Sequence, residues 1–379
     1  MHIVCISASL IPSSTANSIQ VMKACQVLAQ IGHQVRLLAT GSKNLDWEAL
    51  AGHYGLHTPF DIEWLPSNKR LKRYDFSLAA VRRAKALKAD AVYVWPPQAA
   101  LLALILKIPV LLELHGEPEG AFGPLVFRQF VQRPGEKRLL PITRALVVEL
   151  EQTHHYKLNP GEVVVAPNGV DLERYQGLPD PAEARHLLGL PERLTAGYTG
   201  HLYPGRGMGM LLELALHFPK VQFLWAGGRT GDIQRWQERL AEAGAANVHL
   251  TGFVENSRLP LYQAAADILL MPYERQIAGS SGGDSARYCS PMKMFEYMAC
   301  GRPVISSDLP VIREVLNESN AVLLPPEDTQ GWIDALSTLL DDRQERHRLS
   351  RQALQDVQGY TWQERARRAL EGFVKEGKQ

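Results

Sequence analysis

Two stretches in the second half of the chain carry residue types suited to an anionic ligand. The first, 288–310, reads YCSPMKMFEYMACGRPVISSDLP. It has the grammar of a short helix: Ser290 as N-cap, Pro291 where a missing N–H costs nothing, Gly301 to close the C-terminus, and Pro303 to stop any continuation. Lys293 and Glu296 are three apart and share one helix face, while Met294 and Met298 share another. A first-turn lysine beside unpaired backbone N–H groups suits a phosphate, and a carboxylate one turn on suits sugar hydroxyls. The same two residues could equally be a surface ion pair on an ordinary core helix. The second stretch, YTGHLYPGRGMGM at 198–210, sets glycines at 200, 205, 207 and 209 around Arg206. Gly205 and Gly207 would let backbone approach a ligand, and Arg206 would meet phosphate oxygens just before a helix. By itself Arg206 could be no more than a surface arginine in a glycine turn. Together the stretches offer two cations, two helix N-termini and a carboxylate, which is what a nucleoside diphosphate requires.

Other chemistries fit less well. Gly205, Gly207 and Gly209 fail the dinucleotide fingerprint because Met210 takes the third glycine's place, which makes a nicotinamide dehydrogenase a weak alternative. No Asp-x-Asp pair offers a metal clasp, so no metal is expected. The cysteines at 5, 25, 289 and 300 form neither a CxxC pair nor a cluster with histidine, as expected of free thiols in a reducing cytosol.

The elements that must position these residues follow from length and pattern. With 379 residues, 45% of them hydrophobic, the chain exceeds the size at which one core splits into two. Strand-like runs at 3–7, 34–39, 62–65, 91–95, 110–114, 139–142 and 163–166 alternate with helical ones. The pattern weakens between 171 and 193, where prolines stand at 179, 181 and 191, and a second series begins at 195. This predicts two doubly wound α/β domains, 1–178 and 179–359, followed by a C-terminal helix at 360–379. A ligand belongs at the carboxyl ends of such strands, between the domains.

Lysine plus arginine (41) nearly cancel aspartate plus glutamate (40), so no global field calls for nucleic acid or an anionic membrane. One local concentration remains, Lys69, Arg70, Lys72, Arg73, Arg82, Arg83, Lys85 and Lys88. It is either a solvated helix face or a docking site for an anionic acceptor or a membrane surface. No Lys or Arg precedes the first strand, so a secretory signal is not expected. The apolar region 99–114 is interrupted by Lys107 and Pro109 and is too short to span a bilayer. A soluble, cytoplasmic protein is expected, with the inner membrane surface as a candidate location.

Eight blocks in order carry a resemblance: HIVCISAS with the helix ending IGHQV, LELHG at 112–116, APNGVDLERY at 166–175, YTGHLYPGRG at 198–207, FLWAGG at 223–228, LTGFVEN at 250–256, LYQAAADILLMPY at 261–273, and SPMKMFEYMACGRPVISSD at 290–308. In these the chain resembles glycosyltransferase family 4 over nearly its whole length. The resemblance implies a GT-B fold, two Rossmann-like domains facing across a cleft, and retaining, metal-independent transfer of a sugar from a nucleotide sugar to an acceptor hydroxyl. No cofactor is implied; the co-substrate would be a UDP- or GDP-sugar, and the acceptor a carbohydrate or a lipid-linked molecule. The resemblance also implies that the C-terminal helix at 360–379 crosses back to join the first domain, where by itself it reads equally as a terminal helix of the second, and it implies roles. Glu296 would bind the ribose, Arg206 and Lys293 the diphosphate, and the backbone at Phe253 and Val254 the base. Ser290, Pro291 and Met292 would offer N–H groups to the sugar or diphosphate, except that proline has none. His115 would face the donor sugar; without the family it reads as a structural histidine at a strand end.

Two positions depart from the family pattern. Its first motif glutamate is Tyr288 here, and an arginine often found after the first glycine of the 200–209 loop is His201. Tyr288 cannot accept sugar hydroxyls as a carboxylate would, so Asp284 or Glu274 is a candidate substitute, although Asp284 also reads as a turn aspartate. Tyr288 also supports another reading, a nucleotide-sugar-binding protein that has lost transfer. An epimerase or a phosphorylase on the same scaffold is a further one.

Overall fold

The computed structural model describes residues 1–42, 46–71, 73–118, 120–278 and 284–373, without the side chain of Lys69. Lys72 and part of the glycine/serine-rich loop before Asp284 lie outside the described residues, as does the end of the expected C-terminal helix. The chain divides into two compact units, Met1–Asn168 with Trp362–Gln379, and Gly169–Thr361.

The first unit holds a six-stranded sheet of β1 (His2–Ile11), β2 (Gln34–Gly41), β3 (Asp61–Trp64), β4 (Ala91–Val94), β5 (Val110–Leu114) and β6 (Lys137–Pro141), in the order β3-β2-β1-β4-β5-β6. The second holds β7 (Thr195–Thr199), β8 (Gln222–Ala226), β9 (Val248–Gly252), β10 (Ile268–Met271), β11 (Val304–Ser307) and β12 (Val322–Leu324), in the order β12-β11-β10-β7-β8-β9. Read from β9, this is the order of the first sheet. All pairings are parallel. Central strands such as AVYV (β4), VLLEL (β5) and ILLM (β10) are buried throughout, because helices cover both faces of a parallel sheet and leave no polar alternation. In each unit the strand order reverses between the first and fourth strands, and in the second unit the loops that follow those two strands meet there.

Three expectations shift. The boundary falls at Asn168–Gly169, ahead of 178. The intervening residues dock on the second unit: Tyr175 is buried and donates to Gln263 Oε1 at 2.9 Å, and Arg174 donates to the Asn256 carbonyl. The proline-rich stretch beyond is a helix, Pro181–Leu187, capped by Asp180, and its Arg185 pairs with Asp267 at 2.8 Å. The strand expected at 163–166 is a single bridge from Val163 to Leu139. The Val164 and Ala166 N–H groups donate to the Leu139 and Pro141 carbonyls, at 2.9 and 2.8 Å, but Pro141 has no N–H to return, and Arg365 Nε donates to the carbonyls of Ala166 and Pro167, at 3.2 and 2.9 Å. At the C-terminus, Tyr360 and Thr361 belong with the second unit. The helix Trp362–Leu370 belongs to the first, burying Trp362, Ala366 and Ala369.

Candidate functional site

In the second unit, the loops after β7 and β10 meet at the reversal of strand order. Gly207 is left-handed (φ 71°), and a Cβ there would lie 1.6 Å from the Pro272 carbonyl oxygen; at Gly205 (φ 87°) a Cβ would lie 2.4 Å from that of Gln276. Only glycine permits so close an approach. Arg206 is thereby fixed between the loops. The helix after the second loop is Met292–Cys300, closed by left-handed Gly301 as the sequence predicts. Its N-cap is Pro291 rather than Ser290, and no side chain caps it. Ser290 lies buried one residue earlier, and the first helical N–H groups are those of Met292 and Lys293.

Three tyrosines cage the two cations. Lys293 Nζ lies 3.8 Å from the ring centre of Tyr198 and 5.4 Å from that of Tyr273. The Arg206 guanidinium lies 5.0 Å from the Tyr273 ring centre and 5.1 Å from that of Tyr203. Lys293 Nζ and Arg206 Nε are both buried without a hydrogen-bond partner, while an Arg206 terminal nitrogen reaches the Ala278 carbonyl only at 3.5 Å. Burial first, and then Arg206, push the Lys293 amine well below its ordinary value, with Glu296 pulling the other way. His201 stacks on Tyr203 at 4.9 Å; burial, Arg206 and Lys293 push it down to about 4, so it is neutral at pH 7.

No ion pair joins Lys293 to Glu296 among the described residues. Glu296 instead accepts from Gln263 Nε2 at 3.1 Å. Gln263 is held in turn by Tyr175 and by Thr199 Oγ1, to which it donates at 3.2 Å. The carboxylate is thus oriented by a neutral amide. The simple surface pair weighed from the sequence is not what forms.

The remaining positions of this unit are more varied. Asp284 is exposed, and its Oδ1 accepts from the N–H groups of Ile277 and Ala286, at 2.8 and 2.9 Å. These two bonds depress its pKa and make it the aspartate of a turn. Tyr288 is half-buried, its N–H donating to the Ser285 carbonyl at 3.2 Å. Phe253 is 57% exposed and Val254 half-buried, directly beyond β9 and left-handed Gly252.

In the first unit, His115 follows β5 and lines a cavity of about 330 Å³ with Tyr74, Trp95, Gln98, Glu117 and Phe122. Trp95 Nε1 is buried there without a partner. His115 Nε2 contacts Glu113 Oε1. Glu113 is buried, accepts from the Tyr93 hydroxyl, and pairs with Arg365 at 2.8 Å. Burial alone would raise the Glu113 carboxyl, but Arg365 and then His115 outweigh it and bring it down to about 2.

Comparison with known proteins bears on both units. The family model described as Glycosyltransferase Family 4 matches residues 18–174, and the one described as Glycosyl transferases group 1 matches 193–342. The chain belongs to glycosyltransferase family 4. This glycosyltransferase is 27% identical over 357 residues to the phosphatidyl-myo-inositol mannosyltransferase of Mycolicibacterium smegmatis, a match spanning 90% of this chain and 85% of that protein. It is 24% identical to the D-inositol 3-phosphate glycosyltransferase of Kineococcus radiotolerans over 63% of this chain and 59% of that one. Its GT-B fold is shared with the sucrose-phosphate synthase of Thermosynechococcus elongatus (TM-score 0.74, 18% identity, 97% of this chain and 96% of that one). Anabaena HepE, solved with UDP, is also similar (TM-score 0.73, 18% identity, 98% and 99%).

Sequence reasoning about the glycosyltransferase missed Tyr198, Tyr203 and Tyr273 around the cations, Gln263 behind Glu296, and Glu113 with Arg365 behind His115. The tyrosines stood inside the quoted blocks YTGHLYPGRG and LLMPY. Nothing local ties Arg365 to Glu113, since only the fold brings the C-terminal helix beside β5.

Proposed function

We propose that the protein transfers a sugar from a nucleoside diphosphate sugar to an acceptor hydroxyl, with retention of configuration and without a metal ion. The observation that carries this reading is the pair of buried cationic side chains, Lys293 Nζ and Arg206 Nε, that lack an acceptor. Such groups are costly to bury unless a ligand completes them, and a diphosphate is the complement of matching charge. Lys293, Arg206 and the N–H groups of Met292 and Lys293 would offset the charge that grows on the leaving diphosphate. Glu296, oriented by Gln263, would accept the ribose hydroxyls; the backbone at Phe253 and Val254 would meet the base, and Gly205 and Gly207 would let the loop close on the phosphates. Ser290 and Tyr288 would border the sugar. In a front-face displacement the bond from anomeric carbon to phosphate oxygen breaks, a bond to the acceptor oxygen forms, and the acceptor's proton passes to the departing phosphate oxygen.

His115 and its cavity would take the transferred sugar or the acceptor. The names of the relatives favour a hexose donor and an acceptor that is a lipid-linked or free polyol, and the UDP of HepE favours UDP as carrier. A lipid-linked acceptor would suit peripheral contact with the inner membrane surface through the basic stretch 69–88. There Arg82 and Lys85 are exposed, as are Leu71, Tyr74 and Leu78.

Titration with UDP, GDP and ADP, followed by turnover with matching sugar nucleotides, tests the reading. Lys293→Ala and Arg206→Ala should each lose transfer by roughly two orders of magnitude while remaining folded. Near-normal turnover in both would overturn it. Nucleotide binding without sugar release, whatever acceptor is supplied, would favour a binding protein instead.

A further inference from the structure

We propose that Glu113 is a positioning residue that holds the His115 ring in the Nε2–H tautomer, leaving Nδ1 as a hydrogen-bond acceptor for a sugar hydroxyl, and that Arg365 of the C-terminal helix fixes Glu113 for this task. The inference rests on the transferase reading for the identity of the hydroxyl, but its geometry stands alone. His115 lines the first unit's cavity, and its Nε2 is taken by Glu113 Oε1. An ionised carboxylate can only accept, so the ring nitrogen facing it must carry the hydrogen. In that tautomer the ring's remaining acceptor is Nδ1, on a side chain that is 20% exposed.

Glu113 cannot turn away. Its other oxygen takes the Tyr93 hydroxyl and the Arg365 guanidinium, and its side chain is 0% exposed. Arg365 is itself anchored by the carbonyls of Ala166 and Pro167 and by the Tyr93 hydroxyl at 3.0 Å. Stability is a poor explanation for this arrangement. A buried ion pair often does no better than apolar side chains of the same shape, whereas a carboxylate held rigidly against an imidazole sets its tautomer and orientation. The cavity that His115 lines also includes Trp95, whose indole Nε1 is buried without a hydrogen-bond partner.

The test is made on the full-length protein labelled with ¹⁵N-histidine, the His115 resonances being assigned by their loss in His115→Asn. Wild type should show an unprotonated Nδ1 and a protonated Nε2. Glu113→Gln keeps the side-chain shape, but its amide can donate as well as accept, so it should admit the Nδ1–H tautomer. It should lower kcat by roughly ten- to hundredfold with little change in KM for the sugar nucleotide. Glu113→Asp, which keeps the charge, should recover part of the loss. A wild-type ring protonated at Nδ1 would overturn the proposal, and that measurement needs no variant to fold. So would a folded Glu113→Gln protein with unchanged tautomer and unchanged kcat. If no sugar nucleotide is turned over by wild type, the transferase reading fails, while the tautomer result still decides the role of Glu113.

Discussion

The Lys293 amine has no acceptor in the free protein, and this should be measurable when a ligand arrives. Burial and Arg206 depress its pKa below the ordinary 10.5, and a diphosphate would bring oxygens to Nζ and restore it. Between the depressed and the restored value, nucleotide binding must then take up a proton. Calorimetry of UDP or GDP binding in buffers of different ionisation enthalpy should detect this uptake; binding enthalpies that do not depend on the buffer would refute it. The sign for folding follows from the same shift. Between the depressed value and 10.5 the unfolded chain binds a proton there that the folded chain does not, so the contribution of Lys293 to free-protein stability rises with pH across that window. Lys293→Met should abolish that slope and stabilise the free protein by about 1–2 kcal/mol while nucleotide affinity is lost. Equal or lower stability of Lys293→Met, measured by denaturant unfolding, would show that the amine is better satisfied than its surroundings indicate. The sequence marked Lys293 as a candidate phosphate ligand. It did not mark the aromatic cage, because Tyr198 reaches Lys293 from β7 and Tyr273 from the loop after β10.

At the scale of elements, the site depends on two loops pressed together at glycines. Gly207→Ala must force a left-handed alanine and a Cβ 1.6 Å from the Pro272 carbonyl oxygen, so one loop has to move. A loss of about 2–4 kcal/mol in stability is expected, with weaker nucleotide binding as Arg206 shifts. Gly209 is the control. It lies in the helix Met208–His217 with nothing within 4 Å of a Cβ, so Gly209→Ala should be neutral or stabilising by about 0.5–1 kcal/mol. Thermal unfolding distinguishes the two, and similar shifts for both would mean that the close approach at Gly207 is not needed. The sequence marked these glycines as a group. It could not rank them, because the carbonyl that makes Gly207 irreplaceable belongs to the loop after β10. The N-cap of the Met292–Cys300 helix is a similar case. Ser290 has the right side chain, yet Pro291 holds the extended conformation of the cap.

For the whole molecule, near-zero net charge means that any attraction to an anionic surface must be local. Arg82 and Lys85 share an exposed helix face with Tyr74 and Leu78, whereas Arg83 is paired with Glu63 at 2.9 Å. Flotation with phosphatidylglycerol vesicles should therefore exceed that with phosphatidylcholine and fall with salt. Reversing Arg82 and Lys85 to glutamate should weaken it at least tenfold, at about 1 kcal/mol per basic residue. Equal flotation with both lipids, or no effect of reversal, would leave the stretch as a solvated face. The sequence by itself determined the alternation of strands and helices, the two α/β units and the cations and carboxylate of the candidate site, because periodicity, caps and glycine spacing are local properties. Tertiary structure alone decided that Tyr175 and the 181–187 helix dock on the second unit, that Glu296 is held by Gln263 rather than Lys293, and that Arg365 reaches Glu113. Each of these depends on a hydrogen bond or ion pair between residues far apart in the chain, and only the packing of parallel strands in a fixed order brings them together.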